Sequence, residues 1–127
     1  MKVTISVPGT FHAFALASQL YRRDALDTIY TTYPRFKLNH DLPPEYVVPI
    51  RHPEFVMQLG VRLHGLNRYV PSKWNRPFRR WKGVLFDRSV SRRLSAAEDG
   101  LYLGFAGSCR RSLRRCQDLH MTTVVER

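Results

Sequence analysis

A chain of 127 residues, 43% of them hydrophobic, holds one domain and one core, which excludes two full domains closing on a cleft and any activity that needs both. Lys and Arg number 21 against 10 Asp and Glu, a formal charge of +11, and the stretch from Arg62 to Arg93 contains a single acid, Asp87. Such a surface favours phosphate-bearing partners, whether nucleic acid, anionic lipid headgroup or nucleotide.

In chain order, one Lys followed by a short apolar stretch ending at Pro8 reads as a strand over 2–7, not as a signal peptide. A loop over 8–11, a helix over 12–23 and a strand over 27–31 follow. Ala13, Phe14, Ala15, Leu16, Ala17 and Leu20 make that helix apolar nearly all round, as for a helix packed on a sheet and covered by neighbours. The unit is a βαβ of about 30 residues, so its strands are expected to be parallel.

From Tyr33 to Pro53 prolines interrupt the chain, and Tyr46-Val47-Val48 offers a short third strand. Phe55, Val56, Leu59, Leu63 and Leu66 share one arc, which predicts an amphipathic helix over 54–66. The basic, aromatic, Pro-punctuated stretch 67–83 is expected to be partly irregular and mobile. A helix over 84–95 carries Phe86, Val90 and Leu94 on one side, and a strand over 100–105 follows. The helix over 108–119 sets Cys109, Leu113, Cys116 and Leu119 against Arg110, Arg111, Arg114 and Arg115, and a fifth strand covers 121–125. This is an α/β pattern: an open, doubly wound, Rossmann-like, mostly parallel sheet of about five strands.

The two cysteines, Cys109 and Cys116, lie roughly 10 Å apart along one helix, too far for a disulfide. A reduced, intracellular, cytoplasmic protein is the economical reading. No apolar run approaches the roughly 20 residues of a membrane span.

Two strand-to-helix switches stand out. In open α/β sheets ligands sit outside the carboxyl ends of the strands, where such loops aim backbone N–H groups outward. The first, Gly9-Thr10-Phe11-His12, could bind through those N–H groups with His12 as a hydrogen-bonding or acid/base group. The plainer reading gives Gly9 a tight turn and Thr10 a cap. The second, around Gly107 and Ser108, repeats the arrangement, with Ser108 suited to an N-cap. Neither a dinucleotide fingerprint nor a P-loop is present. His40, His52, His64 and His120 keep no metal-ligand spacing, so no metal and no cofactor are expected. Glu45, Glu54, Glu98, Asp99 and Glu126 form no recognisable catalytic pair, and no catalytic residue is assigned.

Taken together, the opening strand with Pro8-Gly9-Thr10-Phe11-His12, the segment Ile29-Tyr30-Thr31-Thr32-Tyr33-Pro34, Phe105-Ala106-Gly107-Ser108 leading into Ser112-Leu113-Arg114-Arg115, and Thr123-Val124-Val125-Glu126-Arg127 resemble the amino-terminal part of GT-B glycosyltransferases of the large family that includes retaining bacterial sugar transferases. The resemblance covers essentially the whole chain. It implies that 1–127 is a partial, acceptor-side domain. Gly9, Thr10, Phe11, His12, Gly107 and Ser108 would face the cleft, and His12 would stand near the reacting sugar. The implied partners are a sugar or lipid-linked acceptor and a nucleotide-sugar donor, the latter bound by a carboxyl-terminal domain absent here. The expectation is therefore a fragment or truncated relative that transfers no sugar by itself.

A second reading, of another class, is a small basic module. Arg68, Lys73, Trp74, Arg79, Arg80, Trp81 and Lys82 suit an anionic membrane surface, because Trp settles at headgroup depth while Lys and Arg meet anionic lipid. That would place the protein peripherally at the inner face of the membrane. Single-stranded nucleic acid would use the same composition. The arginine face of the last helix is either solvated or a binding stripe; its four guanidiniums repel one another without an anionic partner.

Overall fold

The computed structural model describes residues 1–9, 12–34, 42–51, 75–96 and 99–127, with 75–79 described for the backbone alone. Five strands, β1 (Lys2–Val7), β2 (Leu26–Thr31), β3 (Val47–Pro49), β4 (Gly100–Phe105) and β5 (Thr122–Glu126), form one sheet in the order β3-β2-β1-β4-β5. Every pairing is parallel. The chain is thus an α/β protein with a Rossmann-like sheet. β1 is central, with Ile5 in register with Ile29 on one side and Leu103 on the other. Its residues Val3 to Val7 are all buried, as in a parallel strand covered on both faces.

The side-chain alternation of the strands decides which helix lies where. Val3, Ile5, Val7, Ile29 and Leu103 pack with Phe14 and Ala17 of α1 (Ala13–Arg22) on one face. Tyr30 and Tyr102 face the other way and pack with Phe86 and Val90 of α2 (Asn75–Arg93) and Cys116 of α3 (Arg110–Asp118). The helices therefore sit on both faces, as the doubly wound expectation required. A buried contact between Ser6 Oγ and the Tyr102 hydroxyl, 2.5 Å long, joins β1 to β4 within the second layer.

The predicted strands agree with the observed ones to within a residue at most ends. One stretch differs: the prolines and charges of 67–83 predict partly irregular chain, but from Asn75 onward the backbone is helical and continuous with the helix predicted from 84. Pro77 explains how, since it lies in the first helical turn, where a missing N–H removes no intrahelical bond. The helix predicted over 54–66, and 67–74 with it, lie outside the described residues. β5 is an edge strand, and Val124 and Val125 remain 43% and 44% exposed on its two faces.

Candidate functional site

The order β3-β2-β1-β4-β5 reverses direction at β1: the chain goes to β2 on one side and later to β4 on the other. The helices that follow β1 and β4, α1 and α3, pack on opposite faces of the sheet, the arrangement that in open α/β sheets places ligands at the carboxyl ends of the strands. Gly9 turns the first loop, with φ at 148° and its N–H bonded to the Val7 carbonyl. The loop is tied down from β2, where the buried Thr31 hydroxyl donates to the Gly9 carbonyl at 2.7 Å and accepts from the Tyr33 N–H.

His12 caps the start of α1 through its backbone and leaves its imidazole exposed. The ring crosses Phe105 edge to face, centroids 5.9 Å apart, and its Nε2 meets the Glu126 carboxylate at the end of β5. Phe105 and Glu126 are register partners at the carboxyl ends of β4 and β5, and His12, at the start of α1, meets both. A cavity of about 360 Å³ opens beside them, lined by Pro8, Ala106 and Arg127 in addition to the three. Its walls are mostly apolar and its polar groups few, the pattern of small-molecule sites. Thr10 and Phe11 lie outside the described residues.

The second loop is built differently from the sequence expectation. Gly107 adopts φ 89° and lines a separate groove, but the Ser108 side chain is buried and its hydroxyl donates to the Phe105 carbonyl. Cys109, not Ser108, occupies the N-cap of α3 and supplies no side-chain bond. The cap comes from α2: the Asp87 carboxylate accepts from the Arg111 N–H at 2.6 Å, the Ser112 N–H at 2.9 Å and the Ser112 hydroxyl at 2.6 Å. A carboxylate fixed at a helix N-terminus is stabilised there, and it occupies the donors that would otherwise cradle a phosphate. Burial, aided by the nearby Asp87, pushes the Cys109 thiol up, and burial alone pushes Cys116 up to about 11. Both thiols are free and buried.

No protein-family model, curated protein or solved structure matches the chain. Glu126 was missed in the sequence because no local signal ties it to His12; the two are 114 residues apart and meet only through the strand order. Among the described residues no three His, Cys, Asp or Glu side chains gather as metal ligands, and no helix is long and apolar enough to cross a membrane. Of the basic aromatic set, Arg80 and Trp81 are exposed on α2 and Lys82 is half-buried. Arg68, Lys73 and Trp74, and the side chain of Arg79, lie outside the described residues.

Proposed function

We propose that this chain is the acceptor-binding portion of a sugar transferase, and that the cavity beside His12, Phe105 and Glu126 takes a hydroxyl-bearing acceptor. The observation that carries the reading is the His12–Glu126 pair laid across Phe105 at the switch point of the sheet. In the neutral ring a carboxylate accepting from Nε2–H leaves the lone pair on Nδ1, which is the group needed to accept a hydroxyl proton. Phe105 supplies an apolar face of the kind a sugar ring lies against. The capped N-terminus of α3 supports the same reading from the other direction, because two of its amides, those of Arg111 and Ser112, are already committed to Asp87. In this reading the nucleotide-sugar donor is held by a second domain, outside these 127 residues.

Saturation-transfer NMR of the chain with a panel of methyl glycosides tests it. Binding that disappears in His12→Ala is expected, with no turnover of nucleotide-sugars by this chain alone. Absence of binding by every glycoside overturns the reading.

A further inference from the structure

On the opposite face of the sheet from α1, Gly107 looks into a groove of about 550 Å³ between α2, the start of α3 and β5. Three arginines line it from three sides: Arg80 of α2, Arg110 of α3 and Arg127, which follows β5. All three are exposed, and among the described residues none is paired with a carboxylate. The acid that does line the groove, Asp87, is only 4% exposed, and its oxygens already accept from the backbone of α3. Its charge is balanced by the helix N-terminus, so the field in the groove is that of the arginines. Val84, Leu113 and Val125 give the groove aliphatic walls, with Cys109 and small residues between them.

We infer that this groove seats the phosphate headgroup of an anionic lipid at a bilayer surface, with Arg80, Arg110 and Arg127 around the phosphate and Val84, Leu113 and Val125 against the start of the apolar chains. Guanidiniums match phosphate oxygens in paired hydrogen bonds and are less strongly hydrated than ammonium groups. Two further observations suit a lipid. Val84 and Val125, 49% and 44% exposed, put an aliphatic rim beside the arginines, where acyl chains begin. Trp81, 66% exposed and one turn before Val84 on α2, is the residue type that rests at headgroup depth. Beyond the groove, Arg111, Arg114 and Arg115 extend the cationic surface along α3, with Asp118 the one acid beside them among the described residues. The groove shares Ala106 and Arg127 with the His12 cavity, so a lipid held in it stands next to that site. Only this last consequence, a lipid-borne acceptor, rests on the acceptor reading.

The test is co-sedimentation of the chain with vesicles of phosphatidylglycerol in phosphatidylcholine and with vesicles of phosphatidylcholine alone, at about 0.15 M salt, the physiological ionic strength. Binding to the anionic vesicles only is expected. Arg80→Glu with Arg110→Glu lowers the partition about thirtyfold or more, since each basic residue near an anionic surface contributes roughly fivefold. Trp81→Ala with Val84→Ser lowers it several-fold while leaving the charge unchanged. All four positions are at the surface, so circular dichroism should show folded variants. Equal binding to both vesicle types overturns the inference. So does indifference to Trp81→Ala with Val84→Ser, full competition by glycerol 3-phosphate at concentrations equal to the lipid phosphate, or tighter binding of a single-stranded oligonucleotide. His12→Ala leaves vesicle binding unchanged. Loss of vesicle binding with glycoside binding intact therefore sinks the lipid groove alone, and the reverse result sinks the acceptor site alone.

Discussion

Asp87 and Ser112 belong to different helices, yet the Asp87 carboxylate accepts from the Ser112 N–H at 2.9 Å and from its hydroxyl at 2.6 Å, and the same hydroxyl lies 3.3 Å from the Asp87 carbonyl oxygen. The contact makes α2 the cap of α3 and fixes how the two helices pack on the sheet. Its removal leaves the Arg111 and Ser112 N–H groups at the first turn of α3 without their acceptor, and leaves the buried Ser112 hydroxyl the longer contact, 3.3 Å, to the carbonyl of residue 87. Asp87→Ala should therefore cost about 2–4 kcal/mol. Asp87→Asn keeps one acceptor oxygen and loses the charge, so its cost should fall between that of the alanine variant and zero. Urea unfolding followed by far-ultraviolet circular dichroism measures both. Equal stability of the alanine variant and the parent would show that the cap contributes nothing.

Gly104 is the second place where the α2/α3 layer tolerates no change. A Cβ there would stand 2.7 Å from the Cys109 Cβ and 2.9 Å from Cε1 of Tyr102. Both neighbours are buried, and Tyr102 is held by its contact to Ser6, so neither can move aside freely. Gly104→Ala should lose about 1–3 kcal/mol by overpacking. Gly104→Ala combined with Cys109→Ala still meets the Cβ at position 109 and should recover only part of the loss, as thermal unfolding of the two variants would show.

Much of this architecture was legible along the chain, for identifiable reasons. The strands at Val3–Val7 and Leu101–Phe105 are apolar runs of strand length ended by Pro8-Gly9 and Ala106-Gly107, and residues 8–25, between β1 and β2, are enough for a helical crossover and little else. The start of α2 was not legible, because Pro77 among arginines and aromatics looks like a break unless it is known to fall in a first turn. Ser108 was the natural cap by local rules, yet the carboxylate that caps α3 arrives from Asp87, and capping rules read only the few residues before a helix. The pairing of His12 with Glu126 follows from strand order, which the sequence does not spell out. Once β5 is placed beside β4, its last residue, Glu126, and the residue that caps α1, His12, share the carboxyl edge.

The buried thiols set an alkaline limit on stability. Cys116 has an ordinary value of 9.0 raised to about 11 by burial, so between about pH 9 and 11 the unfolded chain gives up a proton that the folded chain keeps. The folded state then binds more protons than the unfolded one, and stability falls as pH rises through that window; below it the contribution is fully present. Cys109, raised by burial and by Asp87, and Tyr102, raised by burial, act in the same direction. Each group steepens the decline by at most about 1.4 kcal/mol per pH unit. Urea midpoints measured from about pH 8 to 11 should drop, and Cys116→Ala should flatten the drop by up to one proton's worth of slope. A midpoint independent of pH across that range would contradict the buried, protonated thiol.

The His12–Glu126 pair should matter to ligand binding and hardly at all to folding. The imidazole is 64% exposed and the carboxylate 33%, and even a fully charged contact as exposed as this contributes only about 0–1 kcal/mol. Glu126→Gln and His12→Ala should therefore unfold within about 1 kcal/mol of the parent. Their effects on glycoside binding should separate them. In Glu126→Gln the new amide oxygen can still accept from Nε2–H and hold the ring over Phe105, so this variant keeps part of the affinity, whereas Glu126→Ala frees the ring to turn and loses most of it. His12→Ala removes the group that meets the hydroxyl and should abolish binding. If Glu126→Ala binds glycosides as well as Glu126→Gln does, the carboxylate does not orient His12 and the pair is a surface contact only.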